Sequence, residues 1–368
     1  MGTDEEWMGR ALALARRAWG GTHPNPMVGA LIVEDGEVVA EGWHACDGGP
    51  HAERVALAAL GRPPRLGATL VVTLEPCSTA GRTGACCDAI LRAGGVSRLV
   101  IGATDPNPAH AGRGVDVLRA AGLAVTSGVR ADECTDLNLI FNHWITTGRP
   151  LIAGKIATTR DGFSRPPLGA DRWITGAAAR EDVHHWRRLF PAIAVGAGTV
   201  RADNPALTRR WREADGTARE DCGWRFVFDS TLATASGAEA NWPRVYADAW
   251  RQRTIVVTSV AADASVRLRL EDAGVQVWTM ETTRGAAGWA EFSRRCAAER
   301  ITGVYLEGGA ELLDDALRAG ALDYGFWYRS PRQSATGWGG RVEWNFASGA
   351  RMERHGEDEL LRGFLDRR

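Results

Sequence analysis

Lysine is almost missing from this chain of 368 residues: Lys155 is the only one, and the other basic side chains, histidines aside, are all arginine. A guanidinium is a planar fork and an ammonium a compact single-point donor, so one lysine kept among arginines marks a place where that donor is needed. An excess of charge is missing too. The formal net charge is −1, with 24% charged residues, which argues against disorder and against a charge-driven coat on nucleic acid. No apolar run approaches the roughly 20 residues that span a bilayer. The start, Met1-Gly2-Thr3-Asp4-Glu5-Glu6-Trp7, has neither the basic stretch nor the apolar core of a secretory signal, so a cytoplasmic protein with no membrane partner is expected. Cysteines are few and odd in number, seven, and Cys77, Cys86 and Cys87 crowd one short segment. That spacing points to metal chemistry more than to a disulfide framework.

What is present is enough apolar residue, 45%, to bury sizeable cores over a length that exceeds what one core usually organises. Two domains are expected. Met8, Ala11, Leu12, Ala15 and Ala18 recur at helical spacing and predict a helix over 4–19. Strands over 30–33 and 38–40 flank Asp35-Gly36, a hairpin dipeptide. A helix over 51–60, a strand over 68–74, a helix over 86–93 closed by Gly94-Gly95, and a strand over 99–103 continue the alternation. Such a pattern predicts a three-layer α/β sheet domain. After Gly148-Arg149-Pro150 it restarts with a strand over 151–156. The boundary therefore divides residues 1–147 from 148–368. Helices over 176–189, 289–299 and 311–319, with strands over 193–195, 225–228, 254–257 and 303–306, make the second domain α/β as well. From Tyr324 onward a tail rich in Trp, Gly and Arg reads as an irregular closing hairpin and helix.

The chemistry concentrates in the first half. His51-Ala52-Glu53 opens a predicted helix, Pro76-Cys77 ends a strand, and Cys86 opens the next helix. One imidazole and two thiolates suit Zn²⁺ and leave a fourth tetrahedral position for water. Helix N-termini place partial positive charge beside the thiolates. Glu53, two residues beyond the imidazole, can then move protons between the bound water, a ring nitrogen and a leaving amine, which is hydrolytic deamination. His-x-Glu followed by Pro-Cys and a second cysteine is the signature of zinc deaminases, with nine positions here from one cysteine to the next. Cys87 reads as a buried small side chain, since adjacent residues seldom chelate one tetrahedral ion.

The motifs together resemble the bifunctional deaminase–reductase family of riboflavin biosynthesis, over about residues 5 to 325. The deaminase motifs are Thr22-His23-Pro24-Asn25-Pro26-Met27-Val28-Gly29, Gly42-Trp43-His44, His51-Ala52-Glu53, Leu74-Glu75-Pro76-Cys77-Ser78, Gly81-Arg82-Thr83 and Asp105-Pro106-Asn107-Pro108. The reductase motifs are Asp161-Gly162, Trp173-Ile174-Thr175-Gly176, Ala179-Arg180, Gly196-Ala197-Gly198-Thr199-Val200, Asp203-Asn204-Pro205-Ala206-Leu207-Thr208 and Leu306-Glu307-Gly308-Gly309.

The resemblance implies a cytidine-deaminase-like domain followed by a dihydrofolate-reductase-like α/β domain, in a homo-oligomer. The first would remove the 2-amino group of 2,5-diamino-6-ribosylamino-4(3H)-pyrimidinone 5′-phosphate. The second would reduce the ribosyl chain to ribityl with NADPH. Carried over by motif position, His51, Cys77 and Cys86 hold zinc, Glu53 shuttles protons, and Asn25, His44 and Arg82 face the deaminase substrate. Ala157, Trp173, Thr199, Asp203, Ser230 and the Gly309 turn are implied for NADPH. Arg187, Leu207, Arg210 and Glu307 are implied for the sugar phosphate, beside the compact donor Lys155.

The chain departs from the family pattern at several places. Thr79 stands where relatives usually carry a histidine, followed by Ala80. Phe163-Ser164-Arg165-Pro166-Pro167-Leu168 replaces a run of small residues, Asp171 replaces a serine, and the stretch Tyr328 to Ser334 has lost the family's Pro-Lys-Leu. These departures motivate an alternative, a paralogous deaminase with weakened or lost reductase in a toxoflavin-like secondary pathway. A base deaminase acting on nucleic acid is a further reading, disfavoured because no basic stripe accompanies the zinc motifs.

Overall fold

Two consecutive residues with positive φ turn the chain back near its start, Asp35 at 51° and Gly36 at 83°. Their twist suits a two-residue hairpin, which pairs β1 (Gly29–Glu34) antiparallel to β2 (Glu37–Trp43). The structure, a computed structural model, describes residues 2–79, 84–165, 173–333, 338–341 (backbone only) and 343–366. It divides into two compact units, Met1–Gly148 and Arg149–Arg368. Among the described residues no helix is long and apolar enough to cross a membrane.

In the first unit α1 (Asp4–Ala15) precedes the hairpin. After it come α2 (Ala52–Leu60), β3 (Ala68–Leu74), α3 (Cys86–Ala93), β4 (Val96–Ala103), α4 (Arg113–Ala120), β5 (Ala124–Ser127), α5 (Ala131–Leu137) and α6 (Leu139–Thr147). The sheet runs β2-β1-β3-β4-β5, antiparallel up to β3 and parallel beyond it. Two glycines show that both faces are covered. A Cβ on Gly29 would lie 2.0 Å from the Ala11 carbonyl of α1, and one on Gly42, the partner of Ala30, would lie 2.4 Å from Ala52 O in α2. Neighbouring residues of β1 thus face different helices, and the whole of β1 is buried. The first helix is shorter than its periodicity predicts, giving way at Arg16–Ala18 to a 3₁₀ turn.

The second unit opens with β6 (Leu151–Thr158), β7 (Phe163–Arg165), α7 (Ala177–Leu189), β8 (Ala192–Gly196), α8 (Ala197–Asp203), β9 (Arg209–Arg212), β10 (Ala218–Asp221) and β11 (Trp224–Phe228). It continues with α9 (Arg244–Ala247), β12 (Thr254–Ser259), α10 (Ala264–Asp272), β13 (Gln276–Met280), α11 (Gly285–Ala298), β14 (Gly303–Leu306) and α12 (Ala310–Arg318). Four strands close it: β15 (Tyr324–Arg329), β16 (Trp338–Arg341), β17 (Arg351–His355) and β18 (Asp358–Phe364). Nine strands form one sheet in the order β13-β12-β11-β8-β14-β6-β15-β18-β17. Alternation along it separates two cores. Ala192, Ala194, Phe226, Phe228, Ile255 and Val257 enter one cluster, and Ile193, Val195, Val227 and Val256 the other.

The tail departs from expectation. It supplies the antiparallel hairpin β17–β18, but no helix follows Arg318 among the described residues, and β15 lies inside the sheet, parallel to β6. Tyr324, Phe326 and Tyr328 are buried at alternate positions, the period of a strand.

Glu34, at the end of β1, is buried and accepts hydrogen bonds from Arg62 Nη1 at 2.9 Å, Arg62 Nη2 at 2.6 Å and Arg65 N at 2.9 Å. The Arg62 guanidinium holds its carboxyl down at about 2. A carboxyl depressed in the folded state adds stability above its unfolded pKa and loses it as the pH falls toward 2. Since Arg62 is partly in water, Glu34→Gln should cost about 1 kcal/mol at pH 7. The difference should vanish near pH 2 in denaturant melts; a loss that persists there would assign it to packing.

Candidate functional site

Three separate segments of the first unit converge. His51 caps α2 with extended backbone, Cys77 follows the end of β3, and Cys86 is the first residue of α3. His51 Nδ1 lies 3.2 Å from Cys86 Sγ and 3.6 Å from Cys77 Sγ, while Cys86 N donates to Cys77 Sγ at 3.3 Å. The three ligand atoms lie within 4.8 Å of one another. One imidazole and two thiols so close form a donor set that fits zinc with a position to spare. A hydrogen bond from Cys86, with His51 beside it, pulls the Cys77 thiol down to about 4. That same bond, together with burial, pushes Cys86 up. A metal would displace the proton that Cys86 keeps. Cys87 stays out of the group, pointing its thiol at Pro76 O and Gly114 O, and burial pushes it up to about 12.

Glu53 stands in the first turn of α2, only 3% exposed. Burial raises its carboxyl, opposed by His51 and by a hydrogen bond with Cys86. A carboxyl raised by burial is held closer to its protonated form than one in water, which suits a group that must carry a proton. His44 packs edge-on to His51 with ring centroids 5.6 Å apart, and Asn25 Nδ2 lies 3.3 Å from His44 Nε2. Asn25 also donates to Asp47 Oδ1 at 3.0 Å. Thus Asn25, His44, His51, Glu53, Cys77 and Cys86 all meet.

Glu75 fixes the wall of this site. Its Oε2 accepts from Asp105 N at 3.1 Å and Gly112 N at 3.0 Å, and its Oε1 accepts from Gly114 N at 2.9 Å and Val115 N at 3.3 Å. Both ends of the loop from Asp105 to Val115 are therefore tied to a residue two positions before Cys77. A Cβ on Gly114 would lie 2.1 Å from Pro76 O, so only glycine lets the loop come this close.

In the second unit β6, β8, β11 and β14 are parallel, so their carboxyl ends share one edge of the sheet. Ligands of open α/β sheets bind beyond that edge. Lys155 and Ala157 lie on β6, Thr199 and Asp203 on α8 after β8, Ser230 after β11, and Glu307 and Gly309 after β14. Gly309 N donates to Thr199 Oγ1 at 3.1 Å. Arg187, from α7, grips Glu307 with Nε and with Nη2, the latter at 2.7 Å, and donates from Nη1 to Thr208 O at 3.1 Å. Burial alone would raise Glu307, but Arg187 and Lys155 outweigh it and hold the carboxyl below its usual range. Burial lowers the Lys155 ammonium, and Glu307 counters part of that shift.

The remaining expected residues are placed differently. Leu207 has φ 53° and its side chain is buried in the core, so only its backbone can meet a ligand. Next to it, Ala206 O accepts from Arg225, a guanidinium with 0% exposure that also binds Asp248, Thr254 and Val245 O. Arg210 lies on the β9–β10 hairpin, 55% exposed, 3.7 Å from Glu220. The Trp173 ring is covered by Arg180 at 4.9 Å, and its carbonyl accepts from Arg332 at 3.3 Å.

Residues 1–103 match the cytidine and deoxycytidylate deaminase zinc-binding region, and residues 150–332 match the RibD C-terminal domain. The riboflavin biosynthesis protein RibD of Actinobacillus pleuropneumoniae is 38% identical over 330 residues, which cover 90% of this chain and 84% of that one. The chain belongs to the RibD family. RibD of Escherichia coli K12 is 48% identical over 212 residues, 58% of this chain and 57% of that protein. Among solved structures, the Thermotoga maritima diaminohydroxyphosphoribosylaminopyrimidine deaminase/5-amino-6-(5-phosphoribosylamino)uracil reductase superposes with a TM-score of 0.79 at 32% identity, over 99% of each chain. Acinetobacter baumannii RibD gives 0.77 at 30% identity, with 99% of each chain covered. The fold is therefore the expected pair of a zinc-binding, deaminase-like half and a reductase-like half. The matches run through both halves, and nothing in them supports a specialised paralogue without its reductase.

Arg82, Pro166 to Leu168 and Asp171 lie outside the described residues. Sequence reasoning missed Glu75 as a clamp, Arg225 as an anchor, and His184. The last lies one turn before Arg187 on α7, and burial, followed by Arg187 and Arg210, pushes its imidazole down to about 4. Its spacing of three from Arg187 was the available signal. For the clamp, Glu75→Gln puts an amide donor where an oxygen now accepts from backbone N–H. The amides of Gly112, Gly114 and Val115 should then exchange hydrogen at least about tenfold faster, and unchanged protection would show that the loop holds itself.

Proposed function

We propose that this chain deaminates 2,5-diamino-6-ribosylamino-4(3H)-pyrimidinone 5′-phosphate and then reduces the ribosyl chain of the product to ribityl, with residues 1–147 and 148–368 dividing the two steps. The observation that carries the reading is the convergence of His51, Cys77 and Cys86 beside the buried Glu53, in a chain aligned with RibD through both halves.

His51, Cys77 and Cys86 would hold the zinc, which supplies an acidified water for attack on the amine-bearing ring carbon. Glu53 would take up two protons in turn, both from the attacking water, and hand one to the ring nitrogen and the other to the departing amine, so ammonia leaves neutral. Asn25 reads the ring edge through its amide, and His44 orients it. In the second half NADPH, when bound, would supply a hydride for the carbonyl carbon of the opened sugar. Ala157, Trp173, Thr199, Asp203, Ser230 and Gly309 are assigned to the cofactor. Lys155 offers its Nζ to the sugar oxygen, which must gain a proton as the carbon gains the hydride. Arg187, Glu307, Arg210 and the Leu207 backbone place the sugar phosphate. The reading includes a homo-oligomer, to be checked by light scattering. It also includes a cytoplasmic location, which the seven free thiols favour.

Zinc-loaded protein given the diamino substrate should release ammonia and oxidise NADPH in sequence; absence of ammonia would overturn the first assignment, and ammonia without NADPH oxidation the second. Glu53→Gln should slow ammonia release by about 10²- to 10⁴-fold with zinc still bound. Its NADPH oxidation on the deaminated substrate should be unaffected. In Glu307→Gln the roles reverse. Arg187 loses the charge opposite it, so NADPH oxidation should fall at least about tenfold while ammonia release stays normal. A chelator should likewise abolish ammonia release and spare the reductase.

A further inference from the structure

The loop from Asp105 to Val115 brings an imidazole to the deaminase site that the mechanism above does not use. His110 Nδ1 lies 3.4 Å from Thr79 Oγ1. Thr79 is two residues beyond Cys77. The approach is built into the backbone. Glu75 ties the two ends of the loop, as described, and its interior is closed by further turns. Asp105 Oδ1 accepts from Asn107 N at 2.9 Å, Asn107 Oδ1 accepts from Ala109 N at 3.0 Å, and His110 N donates to Asn107 O at 2.8 Å. His110 O in turn accepts from Arg113 N at 2.9 Å. The ring is half-buried, so it keeps an open side toward solvent and ligand.

We infer that His110, backed by Thr79, holds the phosphate-bearing arm of the deaminase substrate. The inference rests on the proposed deamination, because the position of the amine fixes the rest of the substrate. The amine-bearing carbon must face His51, Cys77, Cys86 and Glu53. Two residues of extended chain reach at most about 7 Å, so Thr79 and the His110 it touches stay within reach of a substituent of a ring held there, on the side closed by the loop from Asp105. The group on that side with the strongest demand for a donor is the phosphate, and an imidazole N–H meets it with a charge-assisted hydrogen bond. The Thr79 hydroxyl orients the ring by engaging Nδ1, leaving Nε2 for the ligand. His110 is thus a positioning residue for the known substrate class and takes no part in the proton transfers of Glu53.

The test compares ammonia release from the phosphorylated substrate and from its dephosphorylated form, using the full zinc-loaded chain. The unmodified protein must first turn over the phosphorylated substrate, which separates a failure of the function from a failure of this assignment. His110→Ala should raise KM for the phosphorylated substrate about tenfold, the size of one hydrogen bond to a charged group. It should leave kcat within about twofold, and KM for the dephosphorylated form unchanged. The double variant Thr79→His/His110→Ala returns an imidazole from the opposite side of the contact and should recover most of the lost affinity. Unchanged KM in His110→Ala, an equal rise for both substrates, or a double variant no better than the single one would each overturn the assignment. Zinc content and NADPH oxidation, measured on every variant, keep misfolding from being read as either result.

Discussion

Taking an ionisable group out of water is expensive, and at both sites of this protein thiol, carboxylate and guanidinium groups are fastened to partners. The two sites meet that constraint with opposite charges. In the first unit the half-buried thiol of Cys77 is pulled down because Cys86 and His51 hydrogen-bond to it. In the second, a largely covered guanidinium on α7 and a largely covered carboxylate after β14 close on each other through two parallel bonds. The first arrangement gathers two sulfurs and an imidazole where a metal cation belongs. The second leaves Thr208, His184 and Lys155 around a neutralised pair, and Lys155 carries the cluster's adjustable charge.

Backbone groups obey the same rule. The two oxygens of Glu75 accept from four backbone N–H donors, which fasten the loop at both its ends. Arg225 does the converse with carbonyls, binding Ala206 O and Val245 O while Asp248 balances its charge. That anchor sits beside Leu207, whose left-handed backbone a non-glycine residue rarely adopts unless its surroundings impose it. The Glu75 and Arg225 side chains both bind backbone groups. Both convert a flexible connection into a fixed wall, which orients side chains that do.

Much of this was legible in the order of residues. The spans predicted for 68–74 and 86–93 coincide with β3 and α3, because a β-branched run between polar breaks and a helix closed by paired glycines carry their signals locally. The metal ligands were legible for the same reason, each lying at the end of an element whose boundary could be read. Long-range pairing was not. That β15 would insert between β6 and β18 depends on residues some 170 positions apart, joined for instance by Asp323 Oδ2 accepting from Ile152 N. Glu75 and His110 stayed hidden because their roles exist only once the loop from Asp105 folds back on the segment before Cys77. Arg210 and Leu207, placed by motif position, turned out to differ in kind, one a half-exposed side chain on a hairpin and the other a backbone turn with a core side chain.

The solitary lysine shows how composition and geometry constrain one another. The chain uses arginine at every other cationic position, and arginine stays charged in any protein environment. On β6 the residue before Lys155 is Gly154, whose missing Cβ would press on Leu322 and Leu313 at about 3 Å. Alternation then sends Lys155 to the opposite face, where its ammonium lies 5.9 Å from the Tyr328 ring and within the fields of Glu307 and Arg187. A guanidinium there would form a second fork competing with Arg187 for the same carboxylate, and it could not give up a proton. An ammonium is a single-point donor that can give up its proton, and burial lowers the Lys155 ammonium while Glu307 counters part of that shift. A sequence free to use arginine elsewhere therefore has a chemical reason to keep lysine at this one position.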